Sequence, residues 1–309
     1  MRVLQAINQA IHALMQRDAG LHFIGEDVLD PYGGAFKVAA GMSAAYPDRV
    51  LTTPISEAGI VGFAAGMAMH GKPVIAEVMF GDFLGLTFDQ LLNHASKFHW
   101  MYNGQVRVPM IVRTPMGGGR GYGPTHSQSI EKHFCGIPGL TVLTLDEYGD
   151  PAETYRQAHA LAAPVLIIEN KIMYAREVKG PAALPAHDRP DVGCIAYGSS
   201  VDLCVAMAGE LQRTEEILVE VLPIRQLSPF PHQLVRDLAR RCNRLVVVEE
   251  GSPGWGFGQE CAYAVAGMPG HFEFVTGADH PIPGSRLWED RILPSKSRVG
   301  QAILNAFEA

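Results

Sequence analysis

The sequence is short of charge and has no basic excess. Charged residues make up 18% of the 309 positions and the formal net charge is -7 at pH 7. That balance argues against a nucleic-acid surface, which needs a basic stripe or cluster. Cysteine is sparse: Cys135, Cys194, Cys204, Cys242 and Cys261 are odd in number, widely spaced and form no C-x-x-C pair. They read as reduced core thiols rather than a disulfide framework, which predicts a cytoplasmic protein. No continuous apolar run opens the chain. "MRVLQAINQAIHALMQRD" alternates apolar and polar residues at helical spacing, so it is read as neither signal peptide nor membrane span. H-E-x-x-H, G-x-S-x-G and G-x-x-x-x-G-K-[ST] are all missing, which removes support for zinc hydrolase, α/β-hydrolase and phosphate-loop readings.

What is present is a well-buried α/β pattern. Apolar residues reach 47%, enough for two ordinary domains in a chain of this length. Short β-branched runs alternate with longer helical ones, the signature of mostly parallel sheets flanked by crossover helices. Strands are expected at "HFIGED", "RVLTTP", "PVIAEVMF", "VPMIVRT", "LTVLTL" and "PVLIIEN". Helices are expected over 36–46, 57–70, 85–101, 127–135 and 150–162. The proline- and alanine-rich "KGPAALPAHDRPD" has no periodicity and reads as a linker. Alternation then restarts with "VGCIAYG", "EILVEVL", "RLVVVEE" and "FEFVTG", helices over 200–213, 232–241 and 257–266, and a last helix after Pro294. The expected domains are 1–178 and 191–309, joined by 179–190.

Three stretches could carry chemistry. In "TTPISEAGIVGFAAGMAM", Pro54 ends a strand, Ser56 is a plausible N-cap, and Glu57 opens a helix that is apolar on nearly every face. A first-turn acid complementing the helix dipole is the plain reading, worth about 0.5 kcal/mol. The apolar surroundings favour a carboxyl kept from full solvation, the condition proton-transfer chemistry uses. In "MFGDFLGLTFDQLLNHASKFHWMYNG", Phe80, Phe83 and Phe88 follow a strand end, where a ring could stack on a flat heterocycle or simply pack the core. Asp89, Gln90, Asn93 and Lys97 fall near one helix face, as a solvated face with local pairs would. In "RTPMGGGRGYGPTHSQSIEKHF", a glycine-rich loop runs into His126, a residue suited to proton transfer or to binding developing negative charge, though lone loop histidines usually do neither. A fourth stretch, "VVVEEGSPGWGFGQECAY", spaces Gly254, Gly256 and Gly258 wrongly for a dinucleotide turn and reads as a tight strand-to-helix connection.

Together these segments resemble the β subunit of the thiamine diphosphate-dependent E1 component of 2-oxo acid dehydrogenases, in the transketolase-like superfamily. The resemblance rests on "GEDV" with "GGAFKVAAGM", "TPISEAGIVGFAAGMA", "MFGDFLGLTFDQLLNHASK", "VPMIVRTP", "HSQSIE" and "IPGL", and more loosely on "VVVEEG", "GFGQE" and "LPSK". Within the family, "MFGDFLG" with "FDQ" looks closest to acetoin dehydrogenase β subunits. The resemblance implies a pyrimidine-binding domain followed by a transketolase C-terminal-like domain. It implies that Glu57 hydrogen-bonds N1′ of the cofactor's aminopyrimidine and favours its imino tautomer, whose nitrogen takes the thiazolium C2 proton. It also implies that Phe83 and Ile55 line the pyrimidine pocket and that His126 faces the thiazolium.

The family's GDG…N motif for Mg²⁺ and diphosphate is absent, since "GDF" at Gly81 lacks the third glycine. The resemblance therefore implies half a site and no metal ligand in this chain. An α-like subunit would carry the motif and the Mg²⁺ in an α2β2 heterotetramer, with a lipoyl acyltransferase as acceptor if the reaction is oxidative. A structural monovalent cation, held partly by an aspartate before "PVLIIEN", is expected to be weakened or lost, because Leu161 of "HALAAP" takes the acidic position. Two alternatives stay open: a thiamine-dependent carboligase or non-oxidative decarboxylase without a lipoyl partner, and a catalytically silent scaffold subunit.

Overall fold

The computed structural model describes residues 1–309. Eleven strands and ten α-helices follow one another with short 3-10 and π segments between. In the first half these are α1 (Val3–Arg17), β1 (His22–Glu26), α2 (Met42–Ala45), β2 (Val50–Thr53), α3 (Glu57–Met69), β3 (Val74–Glu77), α4 (Ser96–Met101), β4 (Met110–Met116), β5 (Thr141–Thr144), α5 (Pro151–Ala160) and β6 (Val165–Asn170). The second half has β7 (Val192–Ala196), α6 (Ser200–Thr214), β8 (Val219–Pro223), β9 (Gln226–Ser228), α7 (His232–Arg241), β10 (Arg244–Val248), α8 (Phe257–Ala264), β11 (His271–Val275), α9 (Arg286–Ile292) and α10 (Lys296–Glu308).

Two sheets result. The larger runs β2-β1-β3-β4-β6-β5-β9 and the smaller β11-β10-β7-β8. Every pairing is parallel except β5 with β9, so the two α/β sheets are mostly parallel as expected. β9 belongs to the second half of the sequence but closes the edge of the first sheet, tying the halves together.

Parallel strands carry apolar residues on both faces because crossover helices cover both. Val74 and Ala76 of β3 point into one cluster and Ile75 into another; Leu166 and Ile168 of β6 are likewise opposed to Val165 and Ile167. α1 and α5 close one face of the first sheet, with Ile7, Ile11 and Tyr155 buried there. α3 closes part of the other through Ile60, Val61, Ala64, Ala65 and Ala68. That second cluster continues into the other half through Ile195, Tyr197, Val247 and Phe257, so one core spans both sheets. The third lies between the small sheet, α6 and α10.

Across the centre of the larger sheet runs a buried ionic network. Arg113 of β4, 1% exposed, donates through Nε to Glu169 Oε1 at 2.9 Å and through Nη2 to the Tyr174 hydroxyl at 2.8 Å. It also pairs with Glu77 on β3, while the hydroxyls of Tyr155 and Tyr174 donate to Glu169.

Candidate functional site

The candidate residues gather at one edge of the larger sheet. Glu26 ends β1, Ile55 and Glu57 follow β2, Phe80 and Phe83 follow β3, and the loop to His126 follows β4. Those strands are neighbours in the order β2-β1-β3-β4, so all these residues leave the carboxyl ends of adjacent parallel strands, where open α/β sheets bind ligands.

Glu57 is the first residue of α3 and is 6% exposed, whereas Ile55, two residues earlier, is 78% exposed. Ser56 occupies the N-cap position but makes no side-chain capping bond. The face of α3 carrying Gly59, Gly62 and Phe63 is left open within this chain. Beside Glu57 stands a residue whose sequence context gave no separate warning, Glu26. It is 3% exposed, its Oε1 has no partner, and its pKa is pushed up to about 7. Burial is the largest cause and the negative charge of Glu57 the next; the Ser56 backbone N–H acts in the opposite direction. A buried carboxyl with a pKa of about 7 holds a proton near neutral pH and can exchange it with a basic nitrogen brought against it.

The second group is aromatic. The His126 ring lies edge-to-face on Phe80 at 4.7 Å and on Phe83 at 5.2 Å between centroids. Phe80 also meets Tyr122 and Phe36, making a continuous ring-lined wall. His126 Nδ1 is 2.9 Å from the Thr125 hydroxyl, and its carbonyl accepts from Lys171 Nζ at 2.8 Å. Asp82, beside Phe83, accepts the Gln128 backbone N–H through Oδ1 at 3.2 Å, while its Oδ2 is buried without a partner. Burial raises the Asp82 pKa, against the pull of Lys171 and His126. Thus Phe83 and His126 meet directly, and α3, which Glu57 opens, packs on the 3-10 segment Gly81–Thr87 that carries Phe83. Phe88 instead turns to Phe134 at 5.5 Å, a packing contact.

The helix expected over 127–135 does not form. Only Glu131–His133 make a 3-10 turn, because the local donors are used elsewhere: Gln128 N–H goes to Asp82, and the Ser129 hydroxyl goes to Glu250 at 2.8 Å. Asp89, Asn93 and Lys97 form the expected exposed ladder, at 2.7 Å and 2.8 Å. The stretch after β10 is the tight connection expected, with the Phe257 and Gly258 N–H groups donating to Glu249 at 3.1 Å and 3.3 Å. Leu161 lies exposed at the end of α5. No group of three or more His, Cys, Asp or Glu side chains converges as a metal site, the five cysteines are unpaired, and no helix is long and apolar enough to cross a membrane.

A cavity of about 870 Å³ lies elsewhere. It opens between the halves of the chain, lined in part by Glu131, Tyr197, Phe230, Trp255 and Phe257, and none of Glu57, His126, Phe83 or Ile55 reaches it. Under its wall, Tyr197 donates to Glu131, and Glu249 is pushed up to about 7 by burial first and by the charge of Glu131 second. A carboxyl whose pKa rises on folding binds more protons in the folded state, so its contribution to stability falls as pH rises from about 4.5 through about 7. The full contribution of such a shift is on the order of 3 kcal/mol. Glu249→Gln, which cannot titrate and keeps an acceptor for one of the two N–H groups, is expected to flatten the decline of the melting temperature between pH 5 and pH 8. Parallel slopes for variant and parent would contradict this.

With the geometry in place, the chain can be set beside known proteins. Residues 1–176 match the model of the transketolase pyrimidine-binding domain, and residues 182–299 that of the transketolase C-terminal domain. The chain is 34% identical to the β subunit of the acetoin:2,6-dichlorophenolindophenol oxidoreductase of Cupriavidus necator, over 96% of this chain and 94% of that one. It is 32% identical to the mitochondrial pyruvate dehydrogenase E1 component subunit beta-1 of Oryza sativa subsp. japonica, over 99% and 86% respectively. Among solved structures it superposes on a split-gene transketolase, described as an inactive β4 tetramer, with a TM-score of 0.80 over 98% and 97% of the chains. At 20% identity that likeness shows the fold alone.

Proposed function

The chain belongs to the transketolase-like family of thiamine diphosphate-dependent 2-oxo acid dehydrogenase E1 β subunits, and from that premise we propose that it supplies the pyrimidine half of a cofactor site shared with a separate α-like subunit. The observation that carries this is the convergence of a buried carboxyl pair and an aromatic wall at the carboxyl ends of four adjacent strands. The residues present fit the group. The unpartnered Oε1 of Glu26 beside the buried Glu57 makes an acidic floor suited to a basic ring nitrogen, and Phe83 and exposed Ile55 offer flat apolar contact.

In this reading Glu57 holds the aminopyrimidine at N1′ and shares a proton there. Glu26 sets the local charge: its carboxyl, pushed up to about 7 by burial, keeps a proton beside Glu57. Phe83 and Ile55 orient the ring. His126, backed by Phe80 and Phe83 and fixed through its carbonyl, holds or moves a proton at its ring nitrogen on the reacting side. When bound, thiamine diphosphate supplies the nucleophilic carbon and electron sink that decarboxylation of a 2-oxo acid requires. The diphosphate and Mg²⁺ fall to the partner, expected to carry GDG…N in an α2β2 assembly, and a cytoplasmic location is part of the same proposal. The open face of α3 and exposed Ile55 agree with a site completed by a second chain.

Oxidative decarboxylation with acyl transfer to a lipoyl acceptor is the first reading of the whole reaction. A carboligase or non-oxidative decarboxylase without that acceptor is the second, left open by the departures in "RGYGPTH" and "HALAAP". The test is turnover of pyruvate, acetoin and branched 2-oxo acids by the complex co-purified with this chain. Turnover that needs a lipoyl domain or an artificial electron acceptor selects the first reading, and turnover needing neither selects the second. No turnover by a complex that holds both subunits and cofactor overturns both.

A further inference from the structure

The loop between β4 and His126 contains five glycines in seven positions, Gly117, Gly118, Gly119, Gly121 and Gly123, and all but Gly118 have positive φ, between 71° and 91°. Such a segment loses more conformational freedom on ordering than any other kind, so a histidine at its end stays placed only if the loop is gripped. Two fully buried charged side chains grip it. Glu289 of α9, in the other half of the chain, accepts the Gly119 N–H through Oε1 at 2.7 Å and the Gly121 N–H through Oε2 at 2.8 Å. Lys171, just after β6, donates to the carbonyl of His126 itself at 2.8 Å and lies 5.8 Å from the centre of the Phe80 ring that supports the imidazole.

We propose that Glu289 and Lys171 are positioning residues for His126, a carboxylate and an ammonium holding the two ends of one flexible loop. Glu289 lies on α9, away from the strand ends, and Lys171, which follows β6, turns its ammonium to the carbonyl of His126. Each uses its charge on backbone atoms, and charge-assisted bonds of this kind are roughly twice as strong as neutral ones. Glu250 adds a third hold, accepting the Gly118 N–H at 2.7 Å. The C-terminal domain thereby acquires a part in the chemistry: through Glu289 and Glu250 it fixes a loop that belongs to the other sheet. The cation is costly to bury, and burial pulls the Lys171 pKa down to about 8 against the attraction of Asp82, Glu250 and Glu289, with Arg120 adding to the depression. A lysine serving only as filler would be better replaced by an apolar residue.

The proposal rests on His126 acting in the reaction, so the experiment separates the two ideas. Glu289→Gln keeps the shape but offers one acceptor oxygen in place of two. Amide exchange on the full-length chain is expected to accelerate about tenfold at Gly119 or Gly121 with little change in global melting temperature, the size of one lost hydrogen bond. In the partnered enzyme the same substitution, and Lys171→Met, should lower kcat by about tenfold with KM for the 2-oxo acid unchanged. Against a His126→Ala background each should cost nothing further, because a residue acting through His126 has no second effect to lose. Equal losses in the two backgrounds, or unchanged exchange at both glycines, overturn the positioning role. Full activity of His126→Ala instead removes the role assigned to His126, while the exchange data still decide whether the loop is gripped.

Discussion

Glu57→Gln in the partnered enzyme is expected to lower turnover by about 10²–10⁴-fold, the range of a positioned acid–base group, with fold and assembly intact. The substitution preserves size and a hydrogen-bonding end at the first position of α3 but cannot share a proton. Its effect on stability should be small, since a first-turn acid contributes only about 0.3–1 kcal/mol through the helix dipole. A structural role therefore predicts a lower melting temperature with activity kept, and the catalytic role predicts the reverse. The most specific reading is the exchange rate of the cofactor's C2 proton in the assembled complex, followed by NMR in deuterated buffer. Slowed exchange at unchanged cofactor affinity locates the loss at proton transfer, whereas exchange at the parental rate would show that Glu57 has no part in it. Glu26→Gln should be milder, because glutamine reproduces the neutral form of a carboxyl whose pKa is pushed up to about 7 by burial.

The largest expected loss of stability comes from Arg113→Met. Arg113 is buried at 1% exposure between Glu77 at 3% and Glu169 at 0%, and the three join the central strands β3, β4 and β6. Removing the cation leaves two carboxylates without their counter-charge in a region where Glu77 is already raised by burial. Breaking a buried pair by deleting one partner typically costs about 3–5 kcal/mol, so the urea midpoint should fall sharply with m unchanged. Replacing Arg113, Glu77 and Glu169 together by methionine should recover part of that loss, because the desolvation of all three charges disappears at once while the Tyr155 and Tyr174 hydroxyls lose Glu169 as acceptor. A single Arg113→Met variant as stable as the parent would show that the network is not held in the form described.

Where local pattern decides the outcome, the sequence could be read directly. "HFIGED", "VPMIVRT" and "PVLIIEN" are β-branched runs bounded by turn residues, and they became β1, β4 and β6. The helix expected over 36–46 shrank to Met42–Ala45, since Lys37 and Gly41 take positive φ values of 61° and 81° that no helix admits. The stretch 85–101 kept its helical character but divided into 3-10, π and α segments. β9 has only three residues and owes its existence to β5, a partner more than 80 positions away by their ranges. α9 escaped notice as well, although it delivers Glu289.

The site divides along the same line. Glu57, Phe83 and His126 sit in motifs with an unusual local composition, an acid in an apolar helix or a histidine after glycines, so they could be singled out. Glu26, Lys171 and Glu289 look like ordinary surface charges in "GED", "ENKIMY" and "LWEDR". Their roles come from burial at 3%, 0% and 0%, which only the packing of distant segments creates.

The central claim, that this chain holds one half of a divided thiamine diphosphate site, is tested most directly by equilibrium binding of the cofactor with Mg²⁺. Binding should be measured by titration calorimetry for the purified chain alone and again after it is combined with its co-purified partner. The account predicts no saturable binding by the chain alone and one cofactor per pair of chains in the complex. Stoichiometric binding by the chain alone, or none by the complex, would contradict it.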